Sequence, residues 1–292
     1  MHDYSRDGVR FTDRLSLERI DRDIFTGWCH AGAPLRAFGG QVAAQALVAA
    51  GTTVEEPGRR VHSLHGYFLR PGRTTDPIVY LVDRLRDGRS FTTRRVRAVQ
   101  YGETIFAMSA SFAVDEPGVE HQRSMPEVPG PEDLARVVLP PGTDDRGPDE
   151  GFPEHQLLDL RLVPEADVRR ALGDRAHQVA WMRTRESLPQ DELTQVCTLT
   201  YFSDLTLAGT TLVPHPGAET DPGLDMASID HAMWFHSDFR ADEWILFVTD
   251  TPVARGGHGL ARGEFFRRDG VLVASAVQEA LLRHRGHREG RA

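Results

Sequence analysis

Leu193-Thr-Gln-Val-Cys-Thr-Leu-Thr-Tyr-Phe-Ser-Asp-Leu-Thr-Leu207 holds a single charge, Asp204, inside an otherwise uncharged run. Val196, Leu199, Phe202 and either Leu205 or Leu207 recur at helical spacing, which predicts a largely enclosed helix. A carboxylate enclosed in that way is neutral, paired or richly hydrogen-bonded. Two uncharged hydrogen-bonding groups follow strand-like segments downstream: Ser228 in Met226-Ala-Ser-Ile-Asp-His-Ala-Met-Trp-Phe235, and Gln278 near the end of Val271-Leu-Val-Ala-Ser-Ala-Val-Gln-Glu279. Carboxylate, hydroxyl and amide together can hold one water. The plainer reading makes Asp204 a cap or turn residue ahead of Ala208-Gly209.

A second uncharged helix is predicted earlier, from Phe38-Gly-Gly-Gln-Val-Ala-Ala-Gln-Ala-Leu-Val-Ala-Ala50 to about Gly51, and its Ala, Val and Leu content makes it buried nearly all round. Gly39 and Gly40 at its start allow another backbone or a ligand to approach unpaired amides, where a polarised carbonyl oxygen can be held. A strand at Ile24 to Trp28 and a Gly/Pro loop through Pro34 precede it. Strands at Val61–Leu69, Pro77–Arg86, Phe91–Gln100 and Thr104–Val114 follow, and Asp87-Gly88 and Tyr101-Gly102 supply hairpin turns.

From Asp115 to about Pro153 the composition turns to Pro, Gly, Asp and Glu, that of a linker. The pattern then begins again. Strands are expected at Leu157–Val163 and His177–Arg185, then the Leu193 helix, then strands at Ala227–Phe235, Trp244–Asp250, Gly259–Arg267 and Gly270–Glu279. His65-Gly-Tyr-Phe-Leu matches His231-Ala-Met-Trp-Phe, and Asp76-Pro-Ile-Val-Tyr matches Asp242-Glu-Trp-Ile-Leu, both at an offset of 166; Thr104-Ile-Phe-Ala matches Val271-Leu-Val-Ala at 167. One unit has been duplicated. A buried helix wrapped by an antiparallel meander, twice over, describes an α+β double hotdog. Its units are expected at residues 13–115 and 153–285, with residues 116–152 between them. On this register Ser111 stands where the second half has Gln278, and no acid lies between Phe38 and Val54. The polar trio thus belongs to one half, which implies one site per chain and weighs against a mere cap.

Composition narrows the chemistry. The 292 residues carry a formal charge of -9, from 43 acidic and 34 basic residues, with no basic block, so nucleic-acid binding is not expected. Every basic residue is Arg, which removes P-loop and Schiff-base lysines. Cys29 and Cys197 are far apart and fit no metal spacing, and Cys197, inside the apolar helix, reads as a small core residue, so a reduced, cytoplasmic setting is expected. No run approaches about twenty apolar residues, and the start of the chain has no signal-peptide core, so neither membrane insertion nor export is expected.

Phe38-Gly-Gly-Gln-Val, His65-Gly-Tyr-Phe-Leu-Arg-Pro-Gly, Leu85-Arg-Asp-Gly-Arg-Ser-Phe, Ser203-Asp204-Leu205, Ser228-Ile-Asp-His-Ala-Met-Trp-Phe-His and Arg262-Gly-Glu-Phe, in that order, resemble the type II acyl-CoA thioesterases. The resemblance covers nearly the whole chain outside the linker and the termini. It implies a double hotdog that hydrolyses fatty acyl-CoA without cofactor or metal. In that family an Asp on the second helix, a Thr or Ser before an Asp-His pair and a Gln late in the last strand bind the nucleophilic water; here these are Asp204, Ser228 and Gln278. Ser replaces the common Thr and keeps the hydroxyl. Asp204 then serves as base, and backbone amides meet the oxyanion, at Gly39 or Gly40 or else at the turn before Thr194. Direct attack by the carboxylate to give an anhydride is the alternative left open.

Other constellations read as structural. Asp230-His231 resembles half a triad, but the G-x-S-x-G elbow is missing and His65 occupies the matching place in the other half. The pairs His62/His65 and His231/His236 lack a carboxylate or thiolate to complete a metal set. Gly256-Gly-His-Gly precedes a strand, which suits a mobile loop better than a phosphate cradle. Arg70, Arg86, Arg89 and Arg262 are available to CoA phosphates, though an exposed arginine is usually a solvated charge. A hotdog enoyl-CoA hydratase and a non-catalytic acyl-CoA sensor are the competing functions. The first needs an Asp and a His from the helix region, and the second has no use for a polar trio in one half only. Association of whole chains into a homo-oligomer through outer sheet edges or faces is a further expectation.

Overall fold

The computed structural model describes residues 10–29, 36–137 and 157–285. The loop running to Pro34 and the Pro140 to Pro148 part of the expected linker lie outside the described residues. In the first half β1 (Glu18–Asp21) and β2 (Ile24–Gly27) lead into α1 (Gly39–Thr52), followed by β3 (Arg60–Phe68), β4 (Ile78–Asp87), β5 (Phe91–Gln100) and β6 (Glu103–Ala113). In the second half β7 (Leu158–Leu162), α2 (Glu165–Leu172) and β8 (His177–Thr184) lead into α3 (Glu192–Thr210). There follow β9 (Leu224–Ser228), β10 (Asp230–Phe235), β11 (Ile245–Arg255), β12 (His258–Arg267) and β13 (Leu272–His284).

The thirteen strands among the described residues join one antiparallel sheet in the order β1-β2-β4-β5-β6-β3-β10-β13-β12-β11-β8-β7, with β9 alongside β13. Read from either end, this order places corresponding strands of the two halves in the same succession and brings β3 and β10 together at the centre. His65 pairs with Ala232 there, and Gly66 with His231. The edge that each half would otherwise expose is thereby paired. The fold is the α+β double hotdog.

The two long helices run antiparallel inside the sheet. A Cβ at Gly40 would stand 2.7 Å from the Tyr201 carbonyl oxygen, and one at Gly51 would stand 2.5 Å from Leu193 Cδ1. Small residues permit this approach: Ala43, Ala44, Ala46, Ala49 and Ala50 of α1 are all buried. Gln41 and Gln45, also buried, each donate to the carbonyls of Arg14 and Trp28, which pins the N-terminal segment to the helix.

Three expectations change. The strand expected over Ala227–Phe235 is two strands parted at Ile229, where Asp230 Oδ1 accepts from the Glu279 amide at 2.7 Å. The described part of the expected linker, residues 116–137, packs on the second half: Gln122 Nε2 donates to the Gly270 carbonyl at 2.8 Å and Trp181 Nε1 to the Pro129 carbonyl at 2.9 Å. With α2 it covers a second apolar cluster that includes Leu134, Val168, Trp181, Trp244 and Phe266. Proline-rich composition signals the lack of a backbone ladder, and that does not preclude burial. Finally, His65 is exposed whereas His231 is 1% exposed, so the two histidines occupy opposite faces of the sheet. Strand faces alternate with each residue, and an offset of 166 matched letters across a change of face. Pairing gives the inward correspondence instead. Leu64 beside Ala110 answers to His231 beside Gln278, and Ala110 beside Arg94 answers to Gln278 beside Ala261, so the counterpart of Gln278 is Ala110 rather than Ser111.

Candidate active site

Asp204 lies inside α3, six positions before its end at Thr210, which disposes of the capping reading. Leu207, fully buried, completes the apolar stripe, while Leu205 is half-buried. The N-cap of α3 is Asp191, whose Oδ1 accepts from the Thr194 amide at 2.8 Å. The turn before Thr194, the alternative oxyanion donor, is thus occupied and stands at the opposite end of the helix from Asp204.

Two donors converge on one carboxylate oxygen. Gln278 Nε2 reaches Asp204 Oδ1 at 2.7 Å and Ser228 Oγ reaches it at 3.0 Å. Gln278, on β13, is fully buried, and Ser228 is the last residue of β9, just before the break at Ile229. The interruption of the expected strand at Ile229 therefore turns Ser228 toward the helix. Both donors bind the carboxylate itself, a closer association than a shared water requires.

The second oxygen, Oδ2, faces the start of α1, where a Cβ at Gly39 would lie 2.7 Å from it. The first amides of a helix have no partner within the helix, and its dipole is positive there, so the end of α1 favours a negative charge on Asp204. Gly40 has a different role: it packs against Phe38 and the Tyr201 backbone. Of the two glycines, only Gly39 adjoins the carboxylate.

A groove of about 320 Å³ opens beside Ser228 and Gly39, with Val42, Phe68, Phe106 and Leu281 supplying apolar walls. Arg36 and Arg70, both exposed, stand among its lining residues. Arg70 is the one arginine of the four expected to meet phosphates that lines this groove; Arg262 pairs with Asp250 at a separate hollow.

His231, which the sequence reads as structural, and Ser203 form a layer behind the trio. Ser203 Oγ and His231 Nε2 are 2.7 Å apart, and both residues are buried. Burial pushes the imidazole below its ordinary range, against the pull of Asp204, Gln278 and Asp230. Asp230 does not complete a triad, since its Oδ1 is engaged by the Glu279 amide. Ser203 adjoins Asp204 in sequence, and strand alternation opposite Gln278 was the signal for His231. The two cysteines are buried free thiols; burial pushes Cys29 up to about 12 and Cys197 well above its usual value, so neither is an available nucleophile. Among the described residues no helix is long and apolar enough to cross a membrane.

Comparison with known proteins places the fold in a family. Residues 156–281 match the family model described as acyl-CoA thioesterase, and residues 25–113 match that of the acyl-CoA thioesterase N-terminal domain. Acyl-CoA thioesterase 2 of Haemophilus influenzae is 40% identical, over 92% of this chain and 95% of its own. Acyl-coenzyme A thioesterase 8 of Mus musculus is 38% identical, over 94% and 89%. Among solved structures, an acyl-CoA thioesterase II from Mycobacterium marinum superposes with a TM-score of 0.82 at 43% identity, covering 94% of this chain and 98% of that one. A hot dog protein from Alicyclobacillus acidocaldarius, at 22% identity and a TM-score of 0.74 over 94% and 97%, shares the fold. With sequence agreement running through both halves, the chain belongs to the acyl-CoA thioesterase family.

Proposed function

We propose that, in the hydrolysis of acyl-CoA thioesters that characterises this family, Asp204 is the general base and Ser228 and Gln278 hold it in place. The observation that carries this reading is the convergence of both neutral donors on Oδ1, which leaves Oδ2 toward Gly39 to take the proton. A water beside Oδ2 loses a proton to it and attacks the thioester carbon. Negative charge gathers on the carbonyl oxygen and is met by the first-turn amide at Gly39. The tetrahedral intermediate then collapses, the C–S bond breaks, and the proton on Asp204 passes to the departing CoA thiolate. The acyl chain lies in the apolar groove, with Arg36 and Arg70 at the side where phosphates approach.

Asp204→Asn keeps the volume and removes the proton acceptor. It is expected to lower kcat by about 10² to 10⁴ with KM little changed, whereas Ser228→Ala and Gln278→Ala cost about 10-fold to 10³-fold. The effects are expected to be far from additive, because the three groups act as one unit. Ser111→Ala leaves activity intact. Release of free thiol from acyl-CoA is the measurement, and a folded Asp204→Asn protein working near the parent rate refutes the assignment.

Three points of organisation go with this reading. The units are taken as residues 13–115 and 153–285, with residues 116–152 as the connection. Free cysteines support a reducing, cytoplasmic setting. Whole chains associate through outer sheet faces or edges, an expectation that a solution mass showing only monomer removes.

A further inference from the structure

Gln278 can hold Asp204 only while its NH₂ group, and not its carbonyl, points at the carboxylate. A primary amide is nearly symmetric in shape, so something must fix which end faces Asp204. Asp204 itself selects the NH₂ end while ionised, but it becomes protonated during the reaction proposed above, and at that point the selection from its side lapses. The other end of the amide therefore matters. Gln278 Oε1 and His231 Nδ1 are both buried and bond to no other group among the described residues, and against the downward push of burial the Gln278 side chain pulls the imidazole upward, as an acceptor beside a ring N–H does. Ala232 pairs with Val277, and the same register puts His231 directly beside Gln278, both buried on the inner face of the sheet. Directly opposed residues of antiparallel strands have Cβ atoms about 4.5–5.5 Å apart, close enough for an imidazole and a carboxamide to meet.

We propose that His231 is a positioning residue for thioester hydrolysis: its Nδ1–H donates to Gln278 Oε1 and locks the amide with its NH₂ on Asp204. The far side of the ring decides the tautomer. His231 Nε2 lies 2.7 Å from Ser203 Oγ, whose single hydroxyl proton has the Thr200 carbonyl at 2.8 Å and Met233 Sδ at 3.3 Å as its other acceptors. Burial keeps the ring neutral, so it carries one proton. When Ser203 donates to Nε2, that proton must sit on Nδ1, opposite the amide oxygen. A directed chain results, from Ser203 hydroxyl to His231, from His231 to Gln278, and from Gln278 to Asp204. With the proton on Nε2 instead, two lone pairs would face each other across the strands in a dry interior, an arrangement that costs more than the bond Ser203 keeps to Thr200. The exposed His65 on the opposite face of the sheet cannot play this part for the other half, and Ala110 there has no amide to orient.

The inference rests on the assignment of Gln278 to the site, and its test separates the two. In His231→Asn, the side-chain Nδ2 occupies the place of Nδ1 and can still donate to Gln278; in His231→Gln, the donor moves to the place of Nε2, toward Ser203. Both remain polar and similar in size. The expected result is that His231→Gln lowers kcat about 10-fold with KM little changed, His231→Asn stays within about threefold of the parent, and their thermal unfolding midpoints are similar. In a Gln278→Ala background, His231→Gln is expected to have no further effect on kcat, since there is no amide left to orient. Equal losses for the Asn and Gln variants, or a full loss repeated in the Gln278→Ala background, overturn the positioning role while leaving Gln278 in the site. A Gln278→Ala enzyme at the parent rate overturns both.

Discussion

Gly39 and Gly40 are neighbours in α1, yet substitution is expected to separate them. A Cβ at Gly39 would lie 2.7 Å from Asp204 Oδ2 and 3.0 Å from the Phe68 ring, both of them ends of side chains that can move. Gly39→Ala is therefore expected to cost less than about 1 kcal/mol of stability while displacing the carboxylate and lowering kcat at least about 10-fold. At Gly40 the obstacle is the Tyr201 backbone carbonyl at 2.7 Å, which can yield only if a helix moves. Gly40→Ala is expected to destabilise by about 1–3 kcal/mol. Urea unfolding and thiol-release assays on the two variants check the pair; equal behaviour in both would mean that the helix approach, and not Asp204, explains both glycines.

At the scale of elements, duplication gave two pockets, of which one kept the polar trio. The hollow on the other side, about 370 Å³, includes Arg60, His62, Glu192 and His236. Arg60 there engages Asp115, Glu192 and Asp238, while His62 hydrogen-bonds Ser111 at 2.8 Å. Charge pairs now fill the place where the other half has its apolar groove. Burial lowers the affinity of His62, His231 and His236 for protons. As pH falls through about 6.5 the unfolded chain takes up protons that these folded sites resist. The stability they support is present above that pH and is lost below it; Glu192, raised by burial, acts in the opposite sense nearer 4.5. The urea midpoint is expected to fall between pH 7 and pH 5.5, and to fall less in His231→Asn. A parent midpoint that stays flat over that interval contradicts the assignment.

For the molecule as a whole, the junction of β3 with β10 and the contact of α1 with α3 make each half the missing wall of the other. One core cluster contains Val42 and Leu64 of the first half together with Phe202 and Met233 of the second. Residues 13–115 expressed alone would expose both the β3 edge and the face of α1 that carries Gly40 and Gly51. That fragment is expected to aggregate or to pair with itself, as size-exclusion chromatography would reveal, and a folded monomer would show the junction to be dispensable. The described part of the connecting segment adds to this dependence, since Gln122, Arg123 and Glu132 bond to Gly270, Glu264 and Arg268 of the second half.

The sequence by itself determined the repeated unit, both buried helices and most of the strands, because each is written in local periodicity, and it marked Asp204 as a lone charge in an apolar run with Ser228 and Gln278 as its candidate partners. Hairpin chemistry was equally local: Tyr101 and Gly102 take positive φ, 51° and 77°, as their turn requires. Only the tertiary structure decided which face of β10 is inward, that Gln278 answers to Ala110 rather than Ser111, and that residues 116–137 pack instead of merely linking. A one-residue slip between strands leaves a sequence match almost as good and reverses every side chain, so facing is fixed by pairing across the sheet and not by the letters along one strand. The same reason left His231 with a structural reading in the sequence: Ser203 and Gln278 lie 28 and 47 positions from it, and the fold alone brings them beside its ring.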